Sequence, residues 1–302
     1  MKMEINLTDV SVAVLGGDLR ELELAKTLLN YNIDLRLVGF PRCPELENAI
    51  YFFDAFEAVK GAEFVMAPMA NTDMEGRIFL RLDNEEPIDL KKLIPVFSAN
   101  TVLFIGVAKP VITELADKYQ IRIVETAEID EVAILNSIPT AEGAIQLAME
   151  ELPITLHGSK CLIVGFGRCG MTLARNLKSL GAKVSIATRR KSQLARAIEM
   201  GLIPLPLKEL INHTEFDVIF NFAPALILTR SYLERLRKST LIIDLAAAPG
   251  GVDYDAAELL GIKSILALSL PGKVAPVTAG KILSDCIPRL LQEIIGGDEN
   301  AI

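Results

Sequence analysis

CLIVGFGRCGMTLARNLKSLGAKVSIATRR, residues 161–190, reads as strand, turn, helix and second strand within thirty positions. The apolar run 161–164 has the length of a buried parallel strand, and Gly165, Gly167 and Gly170 then supply a GxGxxG turn into an amphipathic helix. The glycines do different work. Gly165 permits the tight turn, Gly167 lets the backbone approach a pyrophosphate with no Cβ in the way, and Gly170 lets the helix lie close on the strand. The helix start offers free N–H groups and partial positive charge to the anion. A second strand at 183–187 ends where the fingerprint places it, so the window predicts a dinucleotide held by Gly165, Phe166, Gly167, Arg168, Cys169 and Gly170.

The end of that second strand bears on which dinucleotide. An NAD site usually carries Asp or Glu there for the ribose hydroxyls, whereas this chain has Ala187, Thr188, Arg189, Arg190 and Lys191. A carboxylate would repel a 2′-phosphate, and a hydroxyl with two guanidinium forks would bind it through charge-assisted hydrogen bonds. The sequence therefore predicts NADP, with Thr188, Arg189 and Arg190 around its 2′-phosphate. A merely solvated basic helix start is the alternative.

Outward from this window, 302 residues suffice for two domains with sizeable cores. A composition 51% hydrophobic and 23% charged is globular, and a net charge of -8 argues against an extended nucleic-acid surface. The four cysteines and two histidines show no metal-ligand spacing, which suits reduced thiols and no bound metal. With no stretch of about 18 apolar residues and no signal-peptide core, the expectation is a cytoplasmic protein without a membrane segment. The terminal GGDENAI reads as a frayed polar tail.

The chain before the window repeats the same alternation. Ser11–Leu15 is a strand ending in Gly16, Gly17 and Asp18, followed by a helix through Leu29, a strand at Asp34–Val38 and further apolar runs at 64–67, 101–106 and 121–124. After the window come runs at 217–221, 240–245 and 264–268. Alternating strands and helices predict an α/β fold of two doubly wound parallel-sheet, Rossmann-like domains joined by two crossing helices. Expected bounds are 1–138 plus 278–302 for the substrate or catalytic lobe, 139–156 for the first crossing helix and 157–277 for the NADP-binding domain. In NSIPTAEGAIQLAMEE, Ser137 reads as an N-cap and Pro139 as a first-turn residue; after the last strand a loop rich in Gly and Pro leads to a helix through about Ile295. Ile282, Leu283, Leu290 and Ile294 would pack it on the first lobe, and two crossings would make a hinge with the substrate in the cleft. The Gly-Gly-Asp turn lacks the GxGxxG spacing and predicts no second cofactor.

Taken in order, VAVLGGDLRELELAKTL, LNSIPTAEGAIQLAMEE, VGFGRCG, LIIDLAAAPGGVD and LSLPGKVAPVTAGKIL resemble the family of dipicolinate synthase A subunits over nearly the full length. The resemblance implies an NADP-linked oxidation of dihydrodipicolinate, or its hydrated precursor, to pyridine-2,6-dicarboxylate in the mother cell of a sporulating bacterium. It also implies a flavoprotein-like B subunit as partner and a homo-oligomer.

Hydride transfer asks little of the protein beyond orientation, because the cofactor carries the difficult chemistry. The two histidines, His157 and His213, both precede strands of the second lobe and read as structural. The turns at the carboxyl edge of that lobe are better placed: Asn221, Ala223 and Pro224, then Asp244 and the Ala248-Pro249-Gly250 turn, then Pro271 and Lys273. From the first crossing, Asn136, Ser137, Thr140 and Glu142 could reach the nicotinamide or the substrate, although Asn136 and Ser137 would serve equally as helix caps. A dicarboxylate should be met by cations, with Arg20 first and Arg77, Lys109 and Lys273 after it. A 2-hydroxy acid dehydrogenase is a competing expectation, weakened because no histidine follows His213; a non-enzymatic NADP-sensing module is another.

Overall fold

Apolar runs flanked by helical patterns become parallel strands, because only burial on both faces satisfies four or five consecutive apolar side chains. A computed structural model describes residues 5–82 and 86–297 and divides into two units, Met1–Leu135 with Ala275–Ile302, and Asn136–Val274. The polar tail expected at the C-terminus lies, from residue 298 on, outside the described residues.

In unit 1, β1 (Ser11–Leu15) leads into α1 (Leu19–Leu29) and pairs with β2 (Asp34–Val38) from Ser11 opposite Asp34 to Leu15 opposite Val38. Then follow β3 (Ile50–Phe52), α2 (Ala55–Val59), β4 (Phe64–Met66), the antiparallel pair β5 (Arg77–Ile78) and β6 (Ile88–Asp89), α3 (Leu90–Leu93), β7 (Val102–Ile105), α4 (Pro110–Tyr119) and β8 (Arg122–Glu125). The main sheet runs β3-β2-β1-β4-β7-β8. Its side chains alternate between two cores, Val12, Val14, Leu35 and Leu37 in one and Ala13, Leu15, Val38 and Val65 in the other.

Helix α5 (Asp130–Glu151) crosses from unit 1 into unit 2. Its start corrects the expectation that Ser137 caps it and Pro139 lies in its first turn. The helix begins at Asp130, where Asp130 and Glu131 meet the positive end of the helix dipole. Pro139 is tolerated inside it although it has no N–H to offer the carbonyl one turn back.

Unit 2 contains β9 (Lys160–Val164), α6 (Arg168–Ser179), β10 (Lys183–Thr188), α7 (Lys191–Glu199), β11 (Ile203–Pro206), β12 (Val218–Asn221), α8 (Arg230–Leu233), β13 (Leu241–Asp244), α9 (Tyr254–Leu260), β14 (Ser264–Leu266) and α10 (Leu270–Val274). Its sheet is ordered β11-β10-β9-β12-β13-β14, so the topology reverses between β9 and β12, the switch point where open α/β sheets bind ligands. Two features depart from the sequence expectation. Strand β11 contains Pro204 and Pro206, which argue against a strand but are accommodated at this sheet edge. The expected Gly/Pro-rich loop is partly helical: α10 has Pro271 in its first turn and packs on Gly143 of α5, where a Cβ would stand 3.2 Å from that of Leu270.

The chain then returns to unit 1 as α11 (Pro276–Ile295), with Ile282, Leu283 and Leu290 buried in its core as their spacing predicts. Helices α11 and α1 meet at Gly280, where a Cβ would lie 2.6 Å from Glu23 Cβ and 2.9 Å from the Arg20 carbonyl oxygen. Among the described residues no helix is long and apolar enough to cross a membrane, and no group of three or more His, Cys, Asp and Glu could hold a metal ion. Gly280→Ala is expected to destabilise unit 1 by about 1–3 kcal/mol, since the Glu23 Cβ and the Arg20 backbone, rather than the far end of a flexible side chain, oppose the added methyl. Scanning calorimetry checks this, and an unchanged melting temperature would show that the two helices part freely.

Candidate functional site

The dinucleotide loop is built by a strand that must turn sharply. Gly165 takes φ +90°, a value that side-chain-bearing residues rarely adopt, and its N–H donates to the Ala187 carbonyl at 3.0 Å. A Cβ on Gly170 would lie 2.4 Å from the Gly165 carbonyl oxygen, so α6 approaches β9 as closely as a glycine allows. Gly167 differs: it caps α6 with no side chain of its own, and a Cβ there would meet nothing within 4 Å. The space before the helix start is thus open to a pyrophosphate, and the residues present fit that group.

The loop's side chains have distinct environments. Phe166 is buried in the unit 2 core with Ala141 and Ala144, so its ring is a core group and only its backbone is left for the cofactor contact expected of it. Burial pushes the Cys169 thiol up despite the neighbouring Arg168, which keeps it protonated at neutral pH. Arg168 is half-buried in the first turn of α6.

At the end of β10 the expected cluster is in place but divides its work. The Thr188 hydroxyl is buried and hydrogen-bonded to Gln193 Oε1, and it accepts the Arg190 N–H at 3.3 Å, so it shapes the turn. Arg189 and Arg190 are exposed, and among the described residues neither guanidinium has a carboxylate partner. Arg189 and Lys208 share an open cavity of about 420 Å³ with Leu207, Leu210, Leu226 and Ile227. An apolar pocket with cations suits a flat heteroaromatic ring joined to a phosphate-bearing sugar. Lys208 and the apolar lining carry no motif, and only the fold collects them.

On the other side of the switch point, Asn221 is fully buried. Its Nδ2 donates to Asp244 Oδ1 at 2.8 Å and to the Ala223 carbonyl at 3.1 Å, and its Oδ1 accepts the Ala223 N–H at 3.1 Å. Asn221 therefore folds the turn that carries Ala223 and exposed Pro224. Of the α5 candidates, Ser137 is buried and shares a 2.6 Å hydrogen bond with Thr172 of α6, and the Thr140 hydroxyl donates to the Asn136 carbonyl at 2.8 Å. Asn136 Oδ1 is buried with no hydrogen-bond partner, a vacant acceptor among these groups. Glu142 on α5 and Lys273 on α10 are exposed, and Pro271 is half-buried.

In unit 1 the turn after β1 is closed by its own side chains. A Cβ on Gly16 would meet Leu80 at 2.3 Å, and one on Gly17 would meet Glu21 at 2.6 Å. Glu21 completes a capping box with Asp18 and also accepts the Met69 N–H at 2.8 Å. Burial raises the Glu21 carboxyl above its ordinary value, with Arg20 opposing. Arg20 is 4% exposed and its fork is taken by Asp18 at 2.9 and 2.7 Å, so a substrate carboxylate would have to displace Asp18. Arg77 pairs with Asp73 and Glu75 on the surface. Lys109, half-buried before α4, has no carboxylate partner among the described residues.

A GxGxxG turn at the switch point of a six-stranded parallel sheet, in a chain with a second doubly wound unit, defines a two-unit dehydrogenase-like protein with a nicotinamide dinucleotide site. The family model described as the D-isomer specific 2-hydroxyacid dehydrogenase NAD binding domain matches residues 139–257, which supports an oxidoreductase, and that for the N-terminal domain of the dipicolinate synthase A subunit matches residues 11–127. The chain is 38% identical to the A subunit of dipicolinate synthase from Bacillus subtilis over 95% of its own length and 98% of the relative's. The crystal structure of the A chain from Bacillus subtilis superposes with a TM-score of 0.89 at 37% identity, covering 97% of this chain and 99% of that one. That from Bacillus halodurans gives 0.88 at 34% identity, covering 95% and 99%. The chain belongs to the family of dipicolinate synthase A subunits, and an A subunit implies at least one further component in the synthase.

The two loop glycines separate folding from binding. Gly167→Ala is expected to leave the melting temperature unchanged, because its Cβ enters open space, yet to weaken NADP and NAD by about tenfold or more in calorimetric titration by occupying the pyrophosphate position. Undiminished affinity for both would show that the phosphates lie elsewhere.

Proposed function

We propose that unit 2 binds NADP and that the chain, as one component of a two-chain synthase, oxidises dihydrodipicolinate to pyridine-2,6-dicarboxylate in the cytoplasm of a sporulating cell. The hydrated precursor would first lose water. The choice of NADP rests on Arg189 and Arg190, two exposed guanidinium groups at the end of β10 that have no carboxylate partner among the described residues. A 2′-phosphate gives them the anion they lack, and their planar forks suit it.

Bound NADP would supply the hydride acceptor, while the ring gains aromaticity as hydride and proton leave. The protein's part is orientation and removal of that proton. Neither histidine suits the second task in unit 2. His157 Nδ1 lies 3.2 Å from the Leu180 carbonyl, and His213 precedes β12 with its carbonyl accepting the Tyr232 phenol at 2.9 Å. The 2-hydroxy acid dehydrogenase alternative, which calls for a histidine acid/base, is disfavoured accordingly. Asn136, with its vacant acceptor, then Ser137, Thr140, Glu142 and Lys273 are this chain's candidates for contact with the reacting groups. For the dicarboxylate, Lys109, with no carboxylate partner among the described residues, moves ahead of Arg20, and Arg77 is least favoured. A flavoprotein-like B subunit would supply what these lack, and self-association of this chain is part of the same proposal.

Arg189→Ala with Arg190→Ala is expected to weaken NADP by about 1.5–3 kcal/mol per lost charged hydrogen bond and to leave NAD nearly unchanged. Calorimetric titration of both cofactors decides this, since equal weakening removes the 2′-phosphate assignment. Turnover provides a separate check. With NADP and freshly prepared dihydrodipicolinate, the isolated chain is expected to form little product by ultraviolet absorbance, and addition of the partner to restore turnover. Full synthesis by the isolated chain would refute dependence on the partner; none with the partner present would refute the activity.

A further inference from the structure

Asp244, at the end of β13, is a fully buried acid with no ion-pair partner among the described residues. A carboxyl so buried is tolerated only where hydrogen-bond donors replace water, and here four donors reach it from different segments. Asn221 Nδ2 at 2.8 Å and the Ala246 N–H at 3.1 Å meet Oδ1; the Gly251 N–H at 2.7 Å and the Tyr254 hydroxyl at 2.9 Å meet Oδ2. An apolar residue would fill the same volume, but it could not tie the end of β12, both ends of the turn after β13 and the start of α9 to one point.

The consequences reach the dinucleotide loop. Asn221, held by Asp244, folds the turn at Ala223, and a Cβ on Gly165 would stand 3.4 Å from the Ala223 nitrogen. Gly251, also held by Asp244, accepts through its carbonyl the N–H groups of Ile227 at 3.0 Å and Leu228 at 2.9 Å, which closes the same turn from its far end. A Cβ on Gly251 would lie 2.4 Å from Asn221 Nδ2, and one on Gly250 2.4 Å from Asp244 Oδ2, so the packing admits no side chain at either position. All of this lies on the β12–β13 side of the switch point, whereas Arg189 and Arg190 lie beyond β10 on the other.

Resting on the assignment of a dinucleotide to unit 2, we infer that Asp244 and Tyr254 are positioning residues for the nicotinamide half of the cofactor: they fix the turns at 222–228 and 246–251 beside the Gly165 loop and have no part in holding the adenosine half. Burial, with the Asp244 carboxylate beside it, pushes the Tyr254 phenol up, so it remains a donor throughout the neutral range.

The experiment compares whole cofactors with their adenosine fragments on the full chain, titrating NADP with 2′,5′-ADP and, in parallel, NAD with ADP. Tyr254→Phe removes one charge-assisted donor and is expected to weaken the preferred dinucleotide by about tenfold while its fragment binds within about twofold of wild type. Asp244→Asn keeps the size but sets a donor against a backbone N–H, of Gly251 or of Ala246 according to how the amide turns, and is expected to show the same split more strongly. Equal weakening of dinucleotide and fragment would reduce both residues to general structure, and unchanged dinucleotide affinity in a folded Tyr254→Phe chain would also overturn the inference. Should Tyr254→Phe fail to melt cooperatively, Asn221→Thr serves in its place with the same expectations. Wild-type protein that binds neither dinucleotide would instead remove the cofactor assignment itself.

Discussion

A methyl group at Gly170 would lie 2.4 Å from the Gly165 carbonyl oxygen, and the rest of unit 2 is arranged around that missing atom. Because the two backbones meet there, α6 starts directly above the end of β9 and its first N–H groups face the sheet's switch point. Everything that follows inherits this geometry. β10 returns beside β9 and delivers Arg189, β12 continues on the other side and delivers the Ala223 turn, and α5 is tied to α6 through Ser137 and Thr172.

Unit 1 has the same strand order and uses its first turn in the opposite way. Where Gly167 leaves space, Leu80 and Glu21 occupy it beside Gly16 and Gly17, and the helix start is satisfied by Asp18 and Glu21 instead of an outside anion. A capping box and an anion site are alternative answers to one need, since the first turn of any helix has N–H groups without internal partners. Placing a carboxylate at the turn of unit 1 stabilises that unit internally; leaving the turn of unit 2 without one keeps a ligand site.

Most of this was legible because periodicity reports burial. The strands Ser11–Leu15 and Asp34–Val38 coincide with their apolar runs, and the glycine spacing located the turn at Gly165. The errors have local causes. Ser137 followed by Pro139 resembles a helix start, yet the flanking apolar residues prolong the helix through the proline; Pro204 and Pro206 disguise a strand that survives because it is an edge. Arg20 illustrates a different limit. A charged residue after a glycine turn looks available in sequence, but the Asp18 two positions before it engages the fork, which only coordinates display. The contact of Asp244 with Tyr254 and the grouping of Lys208 with Arg189 are products of tertiary folding and leave no periodic trace.

Arg189 and Arg190, without carboxylate partners among the described residues, acquire meaning from the charge around them. A chain with net charge -8 repels anions at long range, but at physiological ionic strength that repulsion is screened beyond about 8 Å, so recognition depends on groups close to the ligand. Arg196 is neutralised by Glu199 on its own helix and Arg230 by Glu234 just past the end of α8, and such exposed pairs contribute little to stability. Leaving Arg189 and Arg190 without such partners therefore costs the fold almost nothing. It keeps a local cationic site on an acidic protein.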